Sequence, residues 1–138
     1  MGIIDPFILT LTSDEPVLDW FGLTIEEAHD GIAVVTLTVG AEHVNGNRMT
    51  HGGVVFAVAD QAFAMAANTV LPYAATADAS IQYFAPTGAD DVLIATARTS
   101  FRDERRAVID VDVTANDRTI AVFRGTARAT RRERAGSA

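Results

Sequence analysis

The chain has 138 residues, 49% of them hydrophobic, a formal net charge of −7 and no cysteine. The length predicts a single domain over residues 1–138, with a core of its own, and the order of its elements, taken next, makes it α+β. The missing cysteine removes disulfides, a thiol nucleophile and thiolate-based zinc sites, and His29, His43 and His51 lack the paired spacing of metal ligands.

In chain order, residues 3–12 are apolar and are expected to form a short helix that stops near Thr12-Ser13-Asp14. Trp20 to Glu27 reads as a first strand, and Asp30-Gly31 as a turn. Ile32 to Val39 alternates as a strand does, and residues 40–51, with Gly40, Asn45, Gly46 and Asn47, read as a loop. Gly52 to about Thr69 is the one long helical candidate; it is apolar nearly all round, which predicts burial on most sides, with Pro72 closing it. Four strands follow: Ala75 to Phe84, Val92 to Phe101, Val108 to Thr114 and Thr119 to Ala129. Their breaks are Pro86-Thr87-Gly88, Asp103-Glu104-Arg105 and Asn116-Asp117-Arg118, and residues 131–138 read as a frayed tail. Short turns between strands imply a mainly antiparallel sheet, curled around one buried helix, whose outer face and edges invite self-association.

No apolar run reads as long enough to span a bilayer, and the start Met1-Gly2-Ile3-Ile4-Asp5-Pro6 has no basic leader. A cytoplasmic protein without a membrane partner is the expectation. Residues 1–97 carry 12 acids and one base, Arg48, whereas residues 98–138 carry ten arginines and six acids. An acidic chain without a broad basic face argues against nucleic acid as a partner. The local arginine excess fits either a phosphorylated small ligand or a solubilising surface.

Asp60 is the only charged residue between His51 and Asp78. Aspartate is a poor helix former, and desolvating its charge is costly without a partner. The glycine pair Gly52-Gly53 at the helix start offers free N–H groups and close backbone approach, which suits an oxyanion. Eight residues separate Gly52 from Asp60, roughly 12 Å along a helix. One helix therefore cannot bring both to the same carbonyl, and two antiparallel copies would. Gln61 and Asn68 read as polar groups at helix contacts, and Phe56, Phe63 and Met65 as core or pocket wall.

The run Asn45-Gly46-Asn47-Arg48-Met49-Thr50-His51-Gly52-Gly53, followed by an apolar stretch ending in Ala59-Asp60, resembles the signature of hotdog-fold acyl-CoA thioesterases. It is most similar to the phenylacetate-pathway (PaaI-like) branch, with weaker echoes at Ile81-Gln82-Tyr83-Phe84-Ala85-Pro86 and Phe123-Arg124-Gly125. The resemblance implies a long central helix wrapped by about six antiparallel strands, and hydrolysis of an aryl- or arylacetyl-CoA thioester. It implies Asp60 as general base or nucleophile, and the backbone N–H of Gly52 or Gly53 polarising the carbonyl. Asn45 would orient the carbonyl or the water, His51 would shape the loop, and Thr76 would hold the water or Asp60. Arg105, Arg106, Arg124 and Arg128 become candidates for the coenzyme A phosphates. No cofactor is implied beyond the substrate's own coenzyme A; a homodimer is the minimum unit and a homotetramer the expected assembly. A hotdog hydratase or dehydratase and a non-catalytic acyl-CoA sensor are the rival readings.

Overall fold

Residues 2–130 are described by the computed structural model; the expected tail at 131–138 lies outside them. Helix α1 (Pro6–Thr12) starts on a proline, with the Asp5 carboxylate accepting the Phe7 N–H as its cap at 2.8 Å. It begins later than the apolar run because Ile3 and Ile4 are used elsewhere: they lie along the edge of the first strand, where Asp5 N–H donates to Ala28 O and Ala28 N–H to Ile3 O.

Trp20 does not open a strand but lies in a second short helix, α2 (Pro16–Phe21), and 78% of its surface is exposed. Pro16 at its first turn and Gly22 in the left-handed conformation (φ 81°) at its end punctuate the helix from both sides. The first strand, β1, therefore runs Thr24–His29. Asp30 and Gly31, both at positive φ, close a two-residue hairpin into β2 (Ile32–Thr38). A single 3₁₀ turn (Ala41–His43) leads through the loop to α3 (Gly52–Val70), then β3 (Ala75–Tyr83), β4 (Val92–Arg102), β5 (Arg106–Ala115) and β6 (Arg118–Arg128). Asn116 and Asp117, again both at positive φ, turn β5 into β6.

The six strands form one antiparallel sheet in the order β1-β2-β4-β5-β6-β3, with α3 packed mainly on β4, β2 and β5. This is the hotdog arrangement, a long helix wrapped by a curved sheet. By length and composition α3 does reach what a bilayer span needs (19 residues, mean hydropathy 1.3), contrary to the sequence expectation. Its apolar side chains are spent on the core instead: Val55, Val58, Ala59, Ala62, Phe63 and Ala66 are buried under the sheet. One lane of the helix, through Gly53, Phe56, Ala57, Asp60 and Ala64, is left open or half-buried.

Phe63 shows how tightly helix and sheet meet. A Cβ added at Gly125 of β6 would lie 2.6–2.9 Å from three Phe63 ring carbons. Gly125→Ala is therefore expected to cost about 1–3 kcal/mol, as overpacking of a close-packed core does. A thermal melt tests this: Tm should fall by several degrees and be partly restored by adding Phe63→Leu, and an unchanged Tm would contradict the packing. At the far end of α3, Asn68 donates to Ala64 O at 2.8 Å and accepts from Ala74 N–H at 3.2 Å, tying the helix end to the turn before β3.

The two sheet edges differ. Residues 3–5 shield β1, whereas among the described residues β3 pairs only with β6, and most of its nine residues are exposed.

Candidate functional site

The loop before α3 is built around Asn45. Its Oδ1 accepts from the N–H groups of Asn47 (2.8 Å) and Met49 (3.2 Å), and its backbone pairs with Met49 and Arg48. Arg48 takes positive φ (62°) to complete this tight turn. With Oδ1 committed to the loop, the Nδ2 amide is the part of Asn45 left without a partner among the described residues.

His51 caps the helix. Its Nδ1 accepts the Gly53 N–H at 2.9 Å, and its carbonyl accepts from Val54 (2.9 Å) and Val55 (3.3 Å). Nδ1 as acceptor places the neutral ring's proton on the exposed Nε2. Of the two glycines, Gly53 thus spends its N–H on the cap, while the Gly52 N–H has no partner among the described residues. The Tyr83 hydroxyl donates to the Gly52 carbonyl at 2.9 Å, and the Tyr83 ring lies against Gly52, where an added Cβ would meet it at 3.4 Å.

Asn45 and Gly52 both line a cavity of about 390 Å³, whose walls include Met49, Val55, Tyr83, Phe84 and Ile120. Two donors in an otherwise mostly apolar hollow can hold a carbonyl oxygen and exclude water from its apolar substituent. Tyr83, Phe84 and Thr87 were not singled out as site residues from the sequence. The aromatic pair ending β3 was the available signal.

Asp60 is not in this cavity. It is half-buried, and no hydrogen bond or ion pair reaches its carboxylate among the described residues. Burial pushes the Asp60 carboxyl above the ordinary aspartate range, and the Glu15 carboxylate, at the start of α2, pushes it the same way. The charge that acts on this acid is therefore another acid, 45 positions away in sequence, which no local pattern announces.

Thr76 lies on β3, also outside the cavity. A register shift leaves Ala77 without a partner on β6, so Thr76 faces Ala127, as Ala79 faces Gly125 and Ile81 faces Phe123. Residues directly opposite in an antiparallel pair share a face. The bulge thus returns Thr76 to the helix side of the sheet, the side of buried Phe123 and Ala127.

The arginine candidates stand apart from these groups. Arg124 is exposed on the outer face and holds Asp110 through two hydrogen bonds of 2.7 and 3.0 Å, which lower the Asp110 carboxyl's pKa. Arg105, Arg106 and Arg128 are exposed at one end of the β5–β6 pair, with Arg106 directly opposite Arg128. None of the four lines the cavity.

Known proteins share both this sequence and this shape. Residues 47–122 match the family model described as the thioesterase superfamily. The acyl-coenzyme A thioesterase PaaI of Escherichia coli is 38% identical over 105 residues, 75% of each chain. A solved structure of the E. coli PaaI protein from the phenylacetic acid degradation operon has a TM-score of 0.86 at 31% identity, covering 89% of this chain and 90% of that one. A hypothetical thioesterase from Streptococcus pneumoniae, solved with coenzyme A, has a TM-score of 0.74 at 28% identity, covering 78% of this chain and 88% of that one. Two further structures of that protein carry alanine in place of an aspartate and of a threonine sixteen residues later. The chain belongs to the thioesterase superfamily, as a hotdog-fold, PaaI-like thioester hydrolase.

Proposed function

We propose that this enzyme hydrolyses aryl- or arylacetyl-CoA thioesters, of the phenylacetyl-CoA type, to the free acid and coenzyme A, at a site shared between two subunits. The observation that carries this reading is the pair of unpartnered donors, Gly52 N–H and Asn45 Nδ2, lining one mostly apolar cavity from which Asp60 is absent. The donors hold the thioester carbonyl of one subunit's substrate. The partner's Asp60 then acts on it, either taking a proton from water as hydroxide adds to the carbonyl carbon, or adding to that carbon itself. Collapse of the tetrahedral intermediate breaks the C–S bond and releases the coenzyme A thiolate, which takes up a proton; where Asp60 itself has added, water then hydrolyses the resulting anhydride to the free acid and restores the carboxylate. A thioester is already activated, so a base, an oxyanion donor and positioning suffice, and no metal or redox cofactor is called for.

Two features support the dimer. The β3 edge is open over nine residues, a template for a second copy of the same strand. The open lane of α3 is made largely of small residues, Gly53, Ala57 and Ala64 around Asp60, which lets a second helix approach closely. A two-fold axis through such an interface sets the helices antiparallel, bringing each Gly52 toward the other chain's Asp60. The partner's helix start also supplies a positive end that offsets part of the cost of ionising the half-buried Asp60. Pairing of dimers into a tetramer, with the outer sheet faces or helices in contact, is part of the same proposal.

Thr76 is placed beside Asp60 in this reading, holding the water or the carboxylate. Its support is the inward-facing register and the sixteen-residue spacing, which Asp60 and Thr76 share with the aspartate and threonine altered in the S. pneumoniae protein. The guanidinium groups of Arg105, Arg106 and Arg128 make no hydrogen bond or ion pair among the described residues and are better placed to meet coenzyme A phosphates than that of Arg124, which is held by Asp110.

A thiol-release assay over phenylacetyl-, benzoyl-, short-chain and long-chain acyl-CoAs tests the reading. The highest kcat/KM should fall on the arylacetyl and aryl substrates. A maximum on straight-chain substrates would remove the acyl assignment, and binding without release on any of them would favour a sensor.

A further inference from the structure

Asn45 is followed by glycine, and that pairing opens a second chemistry at its carboxamide. The chain has four asparagines, at 45, 47, 68 and 116, and only Asn45 precedes a glycine. The backbone nitrogen that follows an asparagine can add to the side-chain Cγ, and glycine, with no Cβ, hinders that approach least. Gly46 is exposed, and no atom beyond its chain neighbours lies within 4 Å of where a Cβ would stand. Its N–H meets no acceptor among the described residues. Asn45 Oδ1 accepts from Asn47 N–H at 2.8 Å and from Met49 N–H at 3.2 Å, so two donors already face the oxygen on which charge would develop. Its Nδ2, the group that would leave, is unpartnered among the described residues. The other asparagines lack this combination. Asn68 Nδ2 donates to Ala64 O at 2.8 Å within α3, and Asn116 Nδ2 donates to Asp91 Oδ1 at 3.1 Å. The N–H that follows Asn47, on Arg48, is spent on Asn45 O at 3.0 Å.

We infer that Asn45 is a self-modification site, which deamidates in the folded protein to aspartate or isoaspartate. The Gly46 nitrogen gives its proton to hydroxide and adds to Asn45 Cγ. Nδ2 takes up a proton, its bond to Cγ breaks and it leaves as ammonia, which closes a succinimide ring. Water then adds to one of the two ring carbonyls, and the bond from that carbon to the ring nitrogen breaks. The balance is carboxamide plus water giving carboxylate plus ammonium, with water as the sole co-reactant. Both products carry a carboxylate and lack the Nδ2 donor, so a negative charge enters the loop that would hold the thioester's developing oxyanion. The modification itself stands without the proposed function; its effect on turnover rests on that reading.

The test incubates the full chain under native conditions at mildly alkaline pH and samples it over time. Each sample is mapped by peptide mass spectrometry and assayed for thiol release. The mass gain of amide-to-acid exchange should accumulate at Asn45, faster as hydroxide rises, while Asn47, Asn68 and Asn116 stay intact. Gly46→Ala, whose added methyl meets open space, should keep the starting activity and slow the gain severalfold. Modified sites should turn over about 10²–10³-fold more slowly, the scale of one lost oxyanion donor, so that activity falls in step with the intact fraction. Asn45→Asp made directly should be as slow. An Asn45 that stays intact in the folded chain, over the time in which the urea-unfolded chain deamidates there, overturns the inference. So does modification no faster at Asn45 than at Asn47. Accumulation at Asn45 with full activity retained would establish the modification and refute Asn45 as a carbonyl donor.

Discussion

Replacing Asp60 by asparagine is expected to lower kcat by about 10²–10⁴-fold, the contribution of a positioned base, and to raise the melting temperature at neutral pH. The two effects have one cause. The carboxylate is half-buried, has no cationic partner among the described residues and feels Glu15, so the fold holds its proton more tightly than the unfolded chain does. A carboxyl whose pKa rises on folding favours the folded state when protonated, and that advantage is lost as pH rises through its folded value. The gain in Tm for Asp60→Asn should therefore be present at neutral pH and shrink toward zero as pH falls to the ordinary aspartate value of 3.8. The same displacement predicts that the acid limb of the wild-type kcat/KM profile lies above the usual carboxylate range. Differential scanning of both proteins across pH, alongside the rate profile, checks this. Near-normal turnover in pure Asp60→Asn, or a lower Tm at neutral pH, would remove Asp60 from the chemistry or from its costly environment.

Gly52→Pro separates the proposed oxyanion donor from the fold. Gly52 is the first residue of α3, the position where proline is best tolerated in a helix because the N–H there has no intrahelical acceptor. His51 before it is already extended (φ −61°, ψ 135°), the conformation that a following proline demands. The substitution therefore removes the N–H of the helix start that has no partner among the described residues, while leaving the cap from Gly53 to His51 in place. Loss of an oxyanion donor costs about 10²–10³-fold in kcat, and that is the expected result, with Tm and KM little changed. Activity within a few-fold of wild type would mean that Gly52 does not polarise the carbonyl. Tyr83→Phe is a milder probe of the same point, since it frees only the Gly52 carbonyl.

The sequence carried the elements whose signals are local. The long apolar run from Gly52 ends within a residue of its expected limit, and the paired turn residues at Asp30-Gly31 and Asn116-Asp117 mark hairpins where both positions take positive φ. Trp20 misled because an aromatic β-former outweighed Pro16 and Gly22, which together framed a helix too short for a periodic pattern to register. The isolation of Asp60 was legible, and so was its separation from Gly52. Which glycine keeps a free N–H was not, because that depends on the rotamer by which His51 turns back on Gly53. Nor were the Tyr83–Gly52 and Thr50–Thr87 contacts, which join residues 31 and 37 positions apart through the return of β3 along the helix. The inward turn of Thr76 is legible only from strand register, since it depends on the bulge at Ala77.

A site shared between subunits makes a prediction that a site within one chain does not. Asp60→Asn subunits retain Gly52, and Gly52→Pro subunits retain Asp60. Each is inactive as a homodimer. Unfolded together and refolded in equal amounts, they should form mixed dimers in half of the population, each with one intact site and one doubly defective site, so that thiol release returns to about a quarter of the wild-type rate for a two-fold dimer. Measuring that rate against separately refolded controls is the most direct test of the composite site. Recovery near a quarter is the predicted result; a mixture no more active than the two variants alone, with mixed dimers verified by mass, would contradict it.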